Sequence, residues 1–278
     1  MLKTRILTAV ALLAILLPAL FAKQPEWFML VALILITLAC WEWGRLNGYN
    51  GKLAWITALE GLGFCALMWK LGWPAMKLPQ LWIAAGALWI GLGAWLIHKG
   101  VDHWAQIVKP IRVAVGLLLL CLAWLAVVQA RLIGINFLLS LLVIVWAADV
   151  GAYFAGRKFG RVKLAVKISP GKSWEGVYGG MAAALLLAVA WALWNPAFAD
   201  SASLYQKLLQ GKGWLLLILG ALLMVAMSVV GDLVESLVKR SAGAKDSSGL
   251  LPGHGGVLDR VDALLPTLPL GMMLYSLA

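Results

Sequence analysis

Residues 214–240 read WLLLILGALLMVAMSVVGDLVESLVKR, and the way this stretch changes character decides the fold. Up to Val230 it carries no charged side chain. An apolar run of this kind suits a hydrocarbon core of about 30 Å, which takes about 20 helical residues to cross. The run then passes into Ser228, Asp232, Glu235, Ser236, Lys239 and Arg240, at offsets −4, 0, +3, +4, +7 and +8 from Asp232. That spacing places all six on one helical face. A helix that leaves a membrane with acids first and bases last suits a metal–nucleotide complex, the acids holding a cation and the bases phosphate oxygens. It equally suits a salt-bridged helix end, with Asp232 and Glu235 pairing with Lys239 and Arg240.

Outward from this stretch the apolar pattern repeats. Nine segments of the same kind are predicted, at residues 6–21, 27–43, 53–69, 81–97, 113–128, 133–150, 177–194, 214–230 and 263–277. The chain of 278 residues is 63% hydrophobic and 13% charged, with mean hydropathy +0.92. Soluble domains carry about a quarter of their residues as charges. The expected class is therefore an all-α polytopic membrane protein with about nine transmembrane helices. No alternating strand pattern supports a barrel. Lys3 and Arg5 before the first segment resemble a signal peptide, but Leu20-Phe21-Ala22 lacks a small-x-small cleavage pattern, so the segment is expected to stay as a helix.

The formal charge of +11 does not point to nucleic acid, because the charges sit between apolar runs. There they set topology and meet anionic lipid. With the N-terminus inside, 17 of the 23 Lys and Arg residues fall on the inner side and 6 on the outer. This predicts a cytoplasmic N-terminus and puts the two longest polar loops, residues 151–176 and 231–262, on the cytoplasmic side. Trp27, Trp41, Trp43, Trp69 and Trp73 fit interfacial anchoring. Glu60, an acid inside the third segment, is expected to be buried and hydrogen-bonded. Cys40, Cys65 and Cys121 lie in apolar runs without metal-site or disulfide spacing. No inverted repeat of the transporter kind is visible.

The polar chemistry gathers in those two loops. The second continues as Lys245-Asp246-Ser247-Ser248-Gly249-Leu250-Leu251-Pro252-Gly253-His254-Gly255-Gly256-Val257-Leu258-Asp259-Arg260-Val261-Asp262. Glycines let the backbone approach an anion with its N–H groups exposed. Asp259 and Asp262 at i and i+3 suit Mg²⁺, which takes oxygen ligands and shares them with substrate phosphates. His254 is as well explained by hydrogen bonding as by catalysis. In the first loop, Ser169-Pro170 suits a helix start with Ser169 as cap, which would aim free N–H groups and Lys172 at an anion. Gly171-Lys172-Ser173 is not a P-loop, since Val166 stands where that pattern needs glycine.

The string Ser236-x-x-Lys239-Arg240-x4-Lys245-Asp246-x5-Pro252-x-His254-Gly255-Gly256-x-x-Asp259-Arg260-x-Asp262 resembles the signature of the phosphatidate cytidylyltransferase family without departure. Upstream, Trp146 to Arg157, Ser169 to Gly176 and Gly231 to Ser236 are similar to the family's flanking segments, so the strong resemblance covers residues 140–265. The N-terminal spans resemble it in hydropathy and in Trp41-Glu42-Trp43-Gly44. The resemblance implies a scaffold over residues 1–130, with lipid and dimer contacts, and a catalytic region over residues 131–278. It also implies transfer of CMP from CTP to phosphatidate at the face of a bilayer, with release of pyrophosphate.

By the same resemblance Asp232 and Asp259 are the expected ligands of Mg²⁺, with K⁺ adjacent, and Asp262 and Asp246 are second candidates. Lys239, Arg240, Lys245 and Arg260 are candidates for the phosphates. Ser169, Lys172 and Ser173 are candidates for nucleotide or head-group contact. Asp149, Glu235, Ser236, Gly255, Gly256 and His254 complete the candidate set. The resemblance also implies a homodimer, and the basic loops and short chain fit a bacterial inner membrane. A CDP-alcohol phosphotransferase would need an Asp-Gly-x-x-Ala-Arg string, which is missing. A relative acting on another lipid phosphate would share the motif. A transporter would not explain why the acids, bases and glycines converge in two same-side loops.

Overall fold

The computed structural model describes residues 2–194 and 199–278. The chain folds as a helical bundle. Its long helices are α1 (Leu2–Phe21), α2 (Glu26–Leu46), α3 (Lys52–Lys70), α4 (Pro79–Lys99), α6 (Lys109–Ile133), α7 (Ile135–Phe159), α8 (Trp174–Leu193) and α9 (Leu204–Ser241). Three shorter helices are α5 (Val101–Gln106), α10 (Leu258–Val261) and α11 (Leu264–Leu277). Among the described residues eight helices are long and apolar enough to cross a membrane. The ninth expected span is the difference. That segment forms α11 (Leu264–Leu277), a 14-residue helix with Pro269 inside it. At 1.5 Å per residue it reaches about 21 Å, short of the core. It packs instead against α4, α6 and α9, with Leu265, Leu268 and Leu270 buried.

The elements follow from local signals. Proline opens α4 and α6 within the first turn, where its missing N–H costs nothing. Ser203 and Gln206 close a capping box at the start of α9. Within α9, Lys212 and Gly213 depart from helical geometry, Gly213 with φ +74°. The straight part from residue 214 to Ser241 is about 42 Å long. It exceeds the membrane core, so its last turns project and carry the polar stripe.

α6 is the most enclosed span, and α2, α3, α7 and α11 pack around it. Lipid offers no hydrophobic drive between helices, so close approach and buried hydrogen bonds hold the bundle. α7 and α8 meet backbone to backbone: a Cβ on Gly151 would lie 2.8 Å from the Gly179 carbonyl, and one on Gly180 would lie 2.7 Å from that of Ala148. Trp82 Nε1 donates to Gln129 Oε1 at 3.0 Å, and Gln129 Nε2 donates to the carbonyls of Trp73 and Met76. The cysteines are free and buried, as expected of packing residues. Glu60 is exposed on the outward face of α3, so the buried role expected for it is not met. Its neighbour Gly61 takes the inner position instead, against Cys40.

A small ribbon was not foreseen. β1 (Lys163–Ala165) and β2 (Ser169–Ser173) pair antiparallel, with Lys163 opposite Ser173 and Ala165 opposite Ser169. Ser169 is therefore a strand residue and caps no helix. The cap of α8 is Ser173, whose Oγ accepts the Gly176 N–H at 3.2 Å. Glu175 reaches back to the Val162 N–H at 3.1 Å and closes the ribbon onto the helix.

Candidate active site

Arg240, near the end of α9, donates to the Ile168 carbonyl at 3.4 Å, and Lys172 Nζ lies 2.6 Å from Asp232 Oδ2. The two polar loops therefore share one end of the bundle. Between α7, β2, α8 and α9 lies a cleft of about 360 Å³. Asp149, Tyr153 and Arg157 line it from α7, Lys172 and Ser173 from the ribbon, and Asp232 from α9. Glycine, alanine and Val177 line it where α7 and α8 touch, and Val225, Ser228 and Val229 line it from α9. A polar floor with small-residue walls suits an anionic ligand of some bulk.

The stripe on α9 divides between two partners. Asp232 meets Lys172 and accepts from Ser236 Oγ at 3.2 Å. About two turns on, Lys239 pairs with Glu235 on its own helix and with Asp259 Oδ1 at 2.7 Å. The salt-bridged helix end is thus half right: Glu235–Lys239 is such a pair, while Asp232 looks across to the other loop. Arg240 turns away to the backbone of Ile168 and Ala244.

Asp259 organises the glycine-rich loop. Its Oδ2 accepts from the Ser247 N–H and Oγ, both at 2.8 Å, and from the Gly256 N–H at 2.7 Å. Burial alone would raise its pKa. Lys239 and the amides of Gly256 and Ser247 outweigh that and hold the carboxyl below its ordinary value. The glycines are required by this packing: Gly255 has φ +83°, and a Cβ on it would lie 2.6 Å from Asp259 Oδ2. A Cβ on Gly256 would meet Ser247 Oγ and Glu42 Oε1.

The loop folds back on the helix. A Cβ on Gly231 would meet the Asp262 carbonyl, and would lie 2.8 Å from the Pro266 ring. Asp262 Oδ1 accepts the Ala263 N–H at 2.8 Å. Burial first, and the Asp232 carboxylate second, push its pKa up to about 7, and Lys239 and Lys172 pull against that. It therefore stands electrostatically between the two lysine–acid pairs.

The remaining candidates sit further out. Arg260 donates to the His254 carbonyl at 3.1 and 2.7 Å, shaping the loop tip. His254 Nδ1 is buried without a hydrogen-bond partner. Lys245 and Asp246 are exposed beside the loop, and Ser169 stands at the far end of the ribbon. Asp232 and Asp259 each hold a different lysine. Among the described residues no three His, Cys, Asp or Glu side chains converge on a point that would hold a metal.

Sequence reading overlooked Glu42, Ser247 and Ser248. Glu42, fully buried on α2, accepts from the Val257 and Leu258 amides at 2.9 and 2.7 Å and from Ser248 Oγ. The supposed scaffold half therefore reaches the site. The available signal was an acid inside an apolar segment, a placement that is rare and often functional.

The cytidylyltransferase family profile matches residues 3–278. A phosphatidate cytidylyltransferase of Pseudomonas aeruginosa is 39% identical over 282 residues, covering 97% of this chain and 95% of that protein. One from Haemophilus influenzae is 36% identical over 295 residues, covering 99% of each. One from Brucella suis is 46% identical over 134 residues, 48% of this chain and 44% of that protein. A profile match from residue 3 to residue 278, with relatives aligned end to end at more than a third identity, places the cleft and its loops in a known lineage: this chain belongs to the cytidylyltransferase family.

Proposed function

We propose that this chain is a phosphatidate cytidylyltransferase, which transfers CMP from CTP to phosphatidate and gives CDP-diacylglycerol and pyrophosphate. The single observation that carries the reading beyond family membership is the meeting of both polar loops at one end of a membrane bundle, through Lys172–Asp232 and Lys239–Asp259. A substrate with two acyl tails and an ionic head needs such a place: the tails stay in the bilayer and the head enters a cleft at its surface. Relatives named for this activity align over nearly the whole chain.

In the reaction a phosphate oxygen of phosphatidate attacks the α-phosphorus of CTP. The bond from that phosphorus to the bridging oxygen breaks, and pyrophosphate leaves with the electron pair. No strong general base is needed, because a phosphate monoester is already ionised near neutral pH. The barrier lies in bringing two polyanions together and in the charge on the leaving group. Lys172 and Lys239 are the ammonium groups positioned against it, and Arg157 adds a third cation at the cleft wall. Each lysine rests on a carboxylate that keeps it oriented until a phosphate arrives.

The acids here are oxygen donors of the kind a hard cation takes, although no three of them converge among the described residues, so Asp232 and Asp259 could share an ion only once Lys172 and Lys239 give way. Five carboxyls, Asp149, Asp232, Glu235, Asp259 and Asp262, surround two lysines, and Asp262 is pushed up to about 7 by burial and Asp232. Asp232 and Asp259 would hold Mg²⁺, with Asp262 as the neighbouring acid. When bound, the ion would screen the charge on the triphosphate.

The 17 to 6 charge bias supports a cytoplasmic site in a bacterial inner membrane. A homodimer is proposed by resemblance alone. Purified protein in detergent tests the substrate reading. CTP with phosphatidate should give CDP-diacylglycerol, whereas ATP, GTP and CDP should not support it. Equal use of all nucleoside triphosphates would refute the cytidylyl assignment.

A further inference from the structure

Glu42 lies one turn from the end of α2, on the side of the active site, and is fully buried. No ion pair joins it among the described residues; four donors surround it instead. Val257 and Leu258 give their N–H groups to Oε1 and Oε2, Ser248 Oγ donates to Oε1, and Ser247 Oγ stands 3.3 Å from Oε2. A carboxylate offers about four acceptor sites; three are taken by Val257, Leu258 and Ser248, and the fourth faces the Ser247 hydroxyl, whose one proton it shares with Asp259. The donors come from the two ends of the loop that runs from Ser247 to Leu258. One side chain therefore ties the loop shut at its base.

That base adjoins the reacting groups. The Ser247 hydroxyl has one proton to donate and stands between two carboxylates, 2.8 Å from Asp259 and 3.3 Å from Glu42. Asp259 holds Lys239, which also holds Glu235. A continuous chain of contacts thus runs from α2 to the polar stripe of α9. Gly256 fits beneath it only because it lacks a Cβ, which would meet Glu42 and Ser247 together.

We propose that Glu42 is a positioning residue for nucleotidyl transfer: by closing the loop at Ser247, Ser248, Val257 and Leu258 it fixes Asp259, and through Asp259 it fixes Lys239. The proposal rests on the cytidylyl-transfer reading above. Glu42 itself lines no part of the cleft and acts only through the loop. It also gives the N-terminal half a part in the chemistry beyond carrying lipid contacts. The loop has a second anchor at its tip, where Thr8 Oγ1 donates to the Pro252 carbonyl at 2.9 Å. Loss of the Glu42 clamp is therefore expected to loosen the loop without unfolding the bundle.

The test is Glu42→Gln in purified full-length protein, read by steady-state kinetics and by amide hydrogen exchange. The amide keeps the size but turns one acceptor into a donor facing a backbone N–H. We expect kcat to fall about thirtyfold, the scale of losing a hydrogen bond to a buried charge, with KM for CTP within about threefold. Exchange at Val257 and Leu258 should rise about tenfold or more while α6 and α8 keep their protection. A merely structural role would spread the exchange over the bundle and lower activity only with the folded fraction. A kcat within about threefold of the parent, or exchange rising everywhere, overturns the proposal.

If Glu42→Gln yields no folded protein, Ser248→Ala decides. It removes one donor from a partly exposed position and should lower kcat about threefold to tenfold at an unchanged melting temperature. Unchanged turnover there overturns the proposal. A parent protein inactive on CTP and phosphatidate fails the underlying reading instead, and is distinguished because the exchange measurement still reports whether Glu42 holds the loop.

Discussion

Replacing Asp259 by Asn separates the charge of this residue from its shape. The carboxylate has Lys239 on Oδ1 and three donors from Ser247 and Gly256 on Oδ2. An Asn side chain has one carbonyl oxygen and one amide NH₂. If the oxygen keeps the three loop donors, the NH₂ faces the Lys239 ammonium, donor against donor. The side chains are 7% and 11% exposed, so solvent screens little of this loss. Removing one partner from a hydrogen bond to a buried charge costs about 1.5–3 kcal/mol. That energy is in the positioning of Lys239, which turnover needs. At about 1.4 kcal/mol per decade, kcat/KM should fall by about 10-fold to 150-fold from this contact alone, and further if Asp259 also holds the metal. Lys239 keeps Glu235, so the variant should remain folded in detergent. The assay is CDP-diacylglycerol formation beside a thermal melt of the same preparation. A folded variant that keeps more than half the parent kcat/KM would refute the reasoning.

Lys172→Met removes the partner of Asp232 and a cation of the cleft, so KM for a phosphate-bearing substrate should rise about tenfold or more, and an unchanged KM would take Lys172 out of the site. Gly256→Ala inserts a methyl group where Glu42 and Ser247 stand; overpacking of this kind costs about 1–3 kcal/mol, and a melting temperature and kcat both equal to the parent's would show the loop to be looser than described. The Asp262 carboxyl is raised to about 7 in the folded state, against about 3.9 when unfolded. Between those values the folded protein binds more protons, so its stability falls as pH rises from about 4 to about 7 and is flat above. Asp262→Asn should melt higher than the parent at pH 8 in the presence of a chelator, the gap closing towards pH 4; a gap that does not change with pH would refute the assignment. Single cysteines at Lys167 and Ser248, in a background without Cys40, Cys65 and Cys121, should both be labelled from the cytoplasmic face, and labelling of either from outside would overturn the orientation.

The bundle was legible in the sequence because a bilayer imposes length and composition together, and among the described residues eight of the nine apolar segments form helices long and apolar enough to cross a membrane. The ninth forms a helix of only 14 residues with Leu265, Leu268 and Leu270 buried, and hydropathy alone fixes neither its length nor its burial. The stripe on α9 was legible through helical spacing, but the meeting of Lys239 with Asp259 across the glycine-rich loop was not among its expected pairings. The stripe's direction was less legible, because Asp232 finds Lys172 in a loop 60 residues away, a pairing that no local pattern fixes. Ser169 was read as a helix cap from its proline neighbour, but the β1–β2 hairpin takes that position and leaves capping to Ser173. The part Glu42 plays was not legible because its donors lie more than 200 residues ahead in the chain.

The central claim is that CMP, and not a phosphate group, passes from CTP to a lipid phosphate. Purified protein incubated with phosphatidate and CTP labelled at the α-phosphate or, separately, at the γ-phosphate tests it most directly. The α label should enter the lipid one-for-one with pyrophosphate release, while the γ label leaves only in pyrophosphate. Lipid labelled from the γ-phosphate, or no labelled lipid from folded protein, would contradict it.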